Sequence, residues 1–155
     1  MLPAATLFWG GTIAAPLFDA AHDAGGVLLR LFYSALCHQI PARSLAVGDF
    51  PMAVCARCEG LYFGALAGLA VTLLAHSCRP PSAALFAACV AANAADALLA
   101  SLALPSAGNV LRLLLGLAAG IAAGCHLGAA LRDLDLTLVR TAVSGRGRRV
   151  ACADP

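Results

Sequence analysis

Residues 110–131 read VLRLLLGLAAGIAAGCHLGAAL, and the reading of this stretch decides the fold. Its one charged side chain is Arg112, and its length suffices to cross a hydrocarbon layer of roughly 30 Å as a helix rising about 1.5 Å per residue. Three further runs are of the same kind: Leu2 to Phe18, Leu61 to Ala75 and Ser82 to Leu104. The second reaches spanning length if it begins near Cys55. Strand-like alternation is absent, and lipid admits only helices or closed barrels as spanning structures. The sequence therefore predicts an all-α integral membrane protein of about four transmembrane helices.

Composition agrees. The chain of 155 residues is 61% hydrophobic and 12% charged, with a mean hydropathy of +0.87, whereas a soluble domain is about one-quarter charged. So much apolar surface exceeds what a core of this size encloses, and a bilayer supplies the missing apolar solvent. The net charge of +2, with arginines that form no stripe beside aromatics, argues against nucleic acid. Met1 to Gly10 lacks a basic leader, so the first apolar run is expected to stay in the mature protein.

The longest polar connection, Asp19 to Val54, contains VLLRLFYSAL at Val27 to Leu36, which reads as a short helix at the membrane interface. His76 to Pro81 and Pro105 to Asn109 are short turns. The expected organisation is a transmembrane domain over 1–131, with a Cys/His-rich outer loop over 19–60, and a polar cytoplasmic tail over 132–155. Arg79 and five tail arginines fall on one side, against Arg30, Arg43 and Arg57 on the other. The positive-inside tendency then puts both termini in the cytoplasm of a multi-pass cell (inner) membrane protein.

Small residues recur every fourth position: Gly60, Gly64 and Gly68; Ala84, Ala88, Ala92 and Ala100; Gly116, Gly120, Gly124 and Gly128. Such ridges let helices approach closely in lipid, either within the chain or toward a second copy or a larger complex.

The chemistry concentrates in Cys37-His38-Gln39-Ile40-Pro41-Ala42-Arg43-Ser44 and Cys55-Ala56-Arg57-Cys58-Glu59-Gly60. Three thiolates and one imidazole would complete a tetrahedral zinc site, and the separation of the Cys-x-x-Cys pair from Cys37 and His38 lies within the span of structural zinc sites. The rival chemistry is thiol redox. A Cys-x-x-Cys opening a helix beside Arg57 favours a thiolate that passes electrons to a membrane quinone, although a second cysteine pair for the relay is incomplete. Packing by inert cysteines is the third reading. The expectation is a zinc centre held by Cys37, His38, Cys55 and Cys58, with Arg43, Arg57 and Glu59 as surrounding charged groups and Gln39 as hydrogen-bonding support.

CHQIPARS, CARCEGLYFG, and an Asp in the third helix followed by Asn109, Arg112 and Gly116 resemble a family of small predicted membrane proteins of bacteria and archaea, of unknown function. The resemblance spans roughly Leu31 to Gly124. It implies that Cys37, His38, Gln39, Pro41, Arg43, Ser44, Cys55, Arg57, Cys58, Gly60, Tyr62 and Gly64 belong to a shared pattern, and it brings no activity with it.

A second constellation lies within the spans. Asp96 and Arg112 are placed at similar depth on facing helices and are natural ion-pair partners, because an unpaired charge in mid-membrane costs about 3 kcal/mol. Asn93 is one turn away. A third grouping, His76, Cys78, Cys125 and His126, matches no known ligand spacing and reads as accidental proximity. Cys89, Cys152 and His22 have no visible partners.

Overall fold

The computed structural model describes residues 2–75, 79–102, 104 and 107–150, with side chains over 8–134 of that range. Eight elements follow one another: α1 (Leu2–Ala20), α2 (Ala24–Ser34), a 3-10 turn (Pro41–Arg43), β1 (Ser44–Val47), β2 (Phe50–Cys55), α3 (Ala56–Leu74), α4 (Ala83–Ser101) and α5 (Asn109–Val150). Three of these helices are long and apolar enough to cross a membrane: α3, α4 and the Asn109–Leu134 part of α5. The expected run at Leu2 to Phe18 does form the 19-residue helix α1, but it is not among those three.

The axis of the fold is the parallel pairing of α3 with α5. A Cβ at Gly64 would meet the backbone of Leu117 and Ile121, and one at Gly120 would meet the backbone of Leu61 and Ala65. Gly60, Gly68, Gly116 and Gly124 are equally closed in by the facing backbone. Two of the ridges expected from sequence are therefore consumed against each other, and are not available to a second copy or a larger complex. The alanine ridge of α4 behaves differently: Ala84, Ala88 and Ala92 are exposed, and only 11% of that span is buried.

What holds α4 is polar. Asn93 donates to the Leu115 carbonyl at 2.8 Å, Arg43 donates to the Ala100 carbonyl at 3.0 Å, and Asp96 pairs with arginines of α3 and α5. In an apolar solvent such ties substitute for the hydrophobic drive that is missing between helices.

The expectation that strands are absent is corrected. β1 and β2 form an antiparallel hairpin, Val47 facing Phe50, with Gly48 and Asp49 between them. Gly48 has φ 61, the left-handed value that a two-residue hairpin loop of the primed-II type requires at its first position. The hairpin lies in the connection that precedes α3, where the backbone rule for lipid does not apply. The polar stretch from Arg132 continues the helix of α5 to Val150.

α2 is the short helix expected near Val27 to Leu36. Asp23 caps it, accepting from the Gly25 amide at 2.6 Å, as capping aspartates do. Val27, Leu28, Leu31 and Phe32 stand exposed on it, while Tyr33 on the opposite face is buried in a cluster with Ala15, Cys37, Ala53 and Val54. Phe8 packs edge-on against Tyr33 and Tyr62, each with ring centroids 5.2 Å apart. α1 thus runs antiparallel to the first half of α3, with Thr12 beside Glu59 and Trp9 beside Phe63.

Candidate metal centre

Cys37 follows α2 where the chain leaves the helix, its amide donating to the Tyr33 carbonyl at 2.9 Å. Two residues later Gln39 takes φ 51, an unusual value for a residue other than glycine, and the turn is tied by the Gln39 side-chain amide, which donates to the Arg30 carbonyl at 2.6 Å. Arg30 in turn donates to the Pro51 carbonyl at 2.6 Å and pairs with Asp19, which fixes this turn to β2. β2 ends on Cys55, the residue before α3, and Cys58 stands on the first turn of that helix.

The three sulfurs converge. The Sγ atoms of Cys37, Cys55 and Cys58 all lie within 4.8 Å of one another, and those of Cys55 and Cys58 are 3.3 Å apart, a non-bonded separation. A tetrahedral zinc with bonds of about 2.3 Å sets its sulfurs roughly 3.8 Å apart, so small side-chain rotations would suffice to seat an ion. Cys37 is buried; Cys55 and Cys58 are half-buried. Hydrogen bonds from the Cys55 and Cys58 thiols hold the Cys37 thiol well below the ordinary range, burial opposes them, and the backbone amides of Cys55 and Gln39 add to the lowering.

His38, the expected fourth ligand, lines the same cavity but is exposed and stands outside the group of converging sulfurs. Consecutive side chains leave the backbone in different directions, so Cys37 points inward while its neighbour stays at the rim. Gln39 supports the loop through Arg30 and, by its backbone amide, Cys37. Glu59 does not join the cysteines. One residue past Cys58, it is rotated about 100° around the helix and is buried against α1, where Thr12 Oγ1 is 3.0 Å from its Oε1.

The cavity holding the thiols, about 280 Å³, is also lined by Leu36, Ile40, Arg43, Arg57, Ala97 and Arg112. The expected Asp96–Arg112 pair is present at 3.3 Å, yet Asp96 also pairs with Arg57 and accepts from the Ala107 amide at 2.7 Å. Asp96 lies five residues before the end of α4, about 7.5 Å from that end, and not in the middle of the span. The cysteines and both arginine partners of Asp96, from two constellations in the sequence, line one cavity at one end of the helices. Asn109 completes this end, donating to the Ser44 carbonyl at 3.0 Å, with its Oδ1 3.3 Å from Arg112.

Of the third grouping, His76 and Cys78 lie outside the described residues, as does Cys152. Cys125 approaches the Gly68 carbonyl at 3.7 Å and His126 packs on Phe86, with ring centroids 5.4 Å apart. The Arg57–Asp96 pair and the hairpin escape the sequence reading. The Val-Gly-Asp-Phe step at residues 47–50 was the available signal for the hairpin.

No solved structure matches the chain significantly. An uncharacterized protein of Methanocaldococcus jannaschii is 47% identical over 45 residues, which cover 29% of this chain and 29% of that protein. Residues 37–126, more than half of the chain and the part that contains every cavity-lining cysteine and Asp96, match the family described as predicted membrane protein (DUF2085), and the chain belongs to that family.

Proposed function

We propose that this is a multi-pass cell-membrane protein whose work is done by a metal-thiolate centre, with Cys37, Cys55 and Cys58 as ligands to one zinc ion. The convergence of three sulfurs from two separate segments carries this reading. Backbone amides directed at Cys37 are the supporting feature, because N–H donors stabilise the thiolate a metal needs. The fourth position is open to His38 or to a ligand from outside. Two features support α1 as a fourth span: its length, and its antiparallel course along α3. With four spans both termini lie in the cytoplasm, the centre faces outward, and the exposed apolar face of α2 rests on the lipid surface.

Metal analysis of the detergent-purified chain tests the centre. About one zinc per chain is expected, lost in Cys58→Ser. A second reading, thiol-disulfide exchange linked to a quinone, is favoured by the closeness of Cys55 and Cys58. A metal-free protein with a reducible Cys55–Cys58 bond would establish it in place of the first.

A further inference from the structure

Zinc takes four ligands in structural sites, and in reactive sites it keeps three from the protein and leaves one position for an exchangeable group. Here three sulfurs meet, and the histidine next to them in sequence stays at the rim. What the sulfurs do share is a cavity of about 280 Å³ into which Arg43, Arg57 and Arg112 are placed. That is near the lower end of the size range of small-molecule sites.

Charge narrows the occupant. A divalent ion on three thiolates carries one net negative charge. Three guanidinium groups against the Asp96 carboxylate carry two net positive charges, and the whole is left with one positive charge in a cavity where Cys37 and Arg112 are buried and Arg43 and Arg57 half-buried. Such a charge is costly unless an anion answers it. Hydrogen bonding points the same way. The Nε of Arg57 is buried without an acceptor among the described residues, although the same guanidinium reaches Asp96 through its Nη2. Guanidinium forks match carboxylates in shape as well as in charge.

We infer that the fourth coordination position of the centre is exchangeable and takes a small carboxylate from solution, steadied by Arg43 and Arg57, with His38 left unligated. This rests on the metal reading above and assigns the ligand class of that same site. Arg43 is the specificity group to alter: it sits on the 3-10 turn, outside the sulfur cluster, and a glutamine amide in its place remains a donor for the Ala100 carbonyl that Arg43 holds.

The test uses the full chain in detergent, loaded with cobalt(II), whose visible bands report tetrahedral thiolate coordination, and titrated with acetate at constant ionic strength set by perchlorate. Acetate is expected to shift the bands saturably. Arg43→Gln should weaken acetate by about tenfold or more, the worth of a charge-assisted hydrogen bond, with the starting spectrum and cobalt stoichiometry unchanged. His38→Ala should alter neither. If cobalt binds fully and acetate leaves the bands unmoved, or if His38→Ala abolishes the tetrahedral bands, the carboxylate proposal is overturned while the metal reading stands. Failure of cobalt to bind at all overturns both.

Discussion

The amide of Cys55 points at the Sγ of Cys37 from 3.3 Å, so the residue that ends β2 also holds the thiol 18 positions earlier. This contact depends on the turn after Cys37 keeping its shape, and the turn is held by the Gln39 side chain on the Arg30 carbonyl. Gln39→Ala removes that tie while touching no sulfur. Zinc affinity should fall roughly tenfold to a hundredfold, as for other groups that orient metal ligands, with stoichiometry at saturating zinc unchanged. Competition with a chromophoric chelator measures it; an unchanged affinity would mean that the strands alone fix Cys37.

Asp96 is the shared counter-ion of Arg57 and Arg112, and the side chains of Asp96 and Arg112 are only 7% and 8% exposed. Asp96→Asn keeps the shape but leaves two cations without their carboxylate. Breaking a buried pair from one side costs about 3 kcal/mol or more, because the abandoned charge stays buried. Arg57→Gln should cost less, since Arg112 still answers the carboxylate and Arg57 is more exposed. Reversible denaturation in mixed micelles ranks the two, and a larger loss for Arg57→Gln would refute this account of the triad.

The spanning helices and the sulfur convergence were legible because each rests on a short-range signal: apolar length for α3, α4 and α5, ligand type and spacing for Cys37, Cys55 and Cys58. What stayed hidden depends on direction. Glu59 is adjacent to Cys58 in sequence, yet helical rotation turns it to Thr12. Arg57 reads as a partner for the thiols and instead reaches Asp96, 39 residues on, because α4 must dock its one buried carboxylate near the end where α3 begins. The hairpin was hidden because its strands are short and alternate poorly, although Gly48-Asp49 between two apolar runs is a hairpin signal. His38 is next to Cys37 in sequence, yet adjacent side chains point in different directions, and His38 is exposed at the rim.

The parallel contact of α3 with α5 leaves no room for a methyl group at its centre. A Cβ at Gly64 meets Leu117 and Ile121 backbone atoms, which cannot rotate away as a side chain can. Gly64→Ala should therefore destabilise by about 2 kcal/mol or more despite alanine's better helix propensity. At Gly10 in α1 a Cβ meets nothing within 4 Å, and Gly10→Ala should change stability by less than about 0.5 kcal/mol or raise it slightly. Equal effects at the two positions would show that the helices are not packed backbone to backbone.

Glu59 gives the sharpest test of which carboxylate belongs to the centre. Its Oε1 lies 3.0 Å from Thr12 Oγ1, and that hydroxyl also lies 2.7 Å from the Trp9 carbonyl. Thr12 Oγ1 is the donor in both contacts, its one proton shared between the carboxyl and the carbonyl. A glutamine side-chain carbonyl can accept in the same way. Glu59→Gln should accordingly change stability by less than about 1 kcal/mol, whereas Thr12→Val, which strips the buried carboxyl of its partner, should cost about 1–3 kcal/mol. Neither substitution should reduce zinc per chain, because the two groups face each other between α1 and α3 and not the sulfurs. Loss of zinc in Glu59→Gln, with the fold intact by circular dichroism, would instead tie this carboxyl to the thiolates through the first turn of α3.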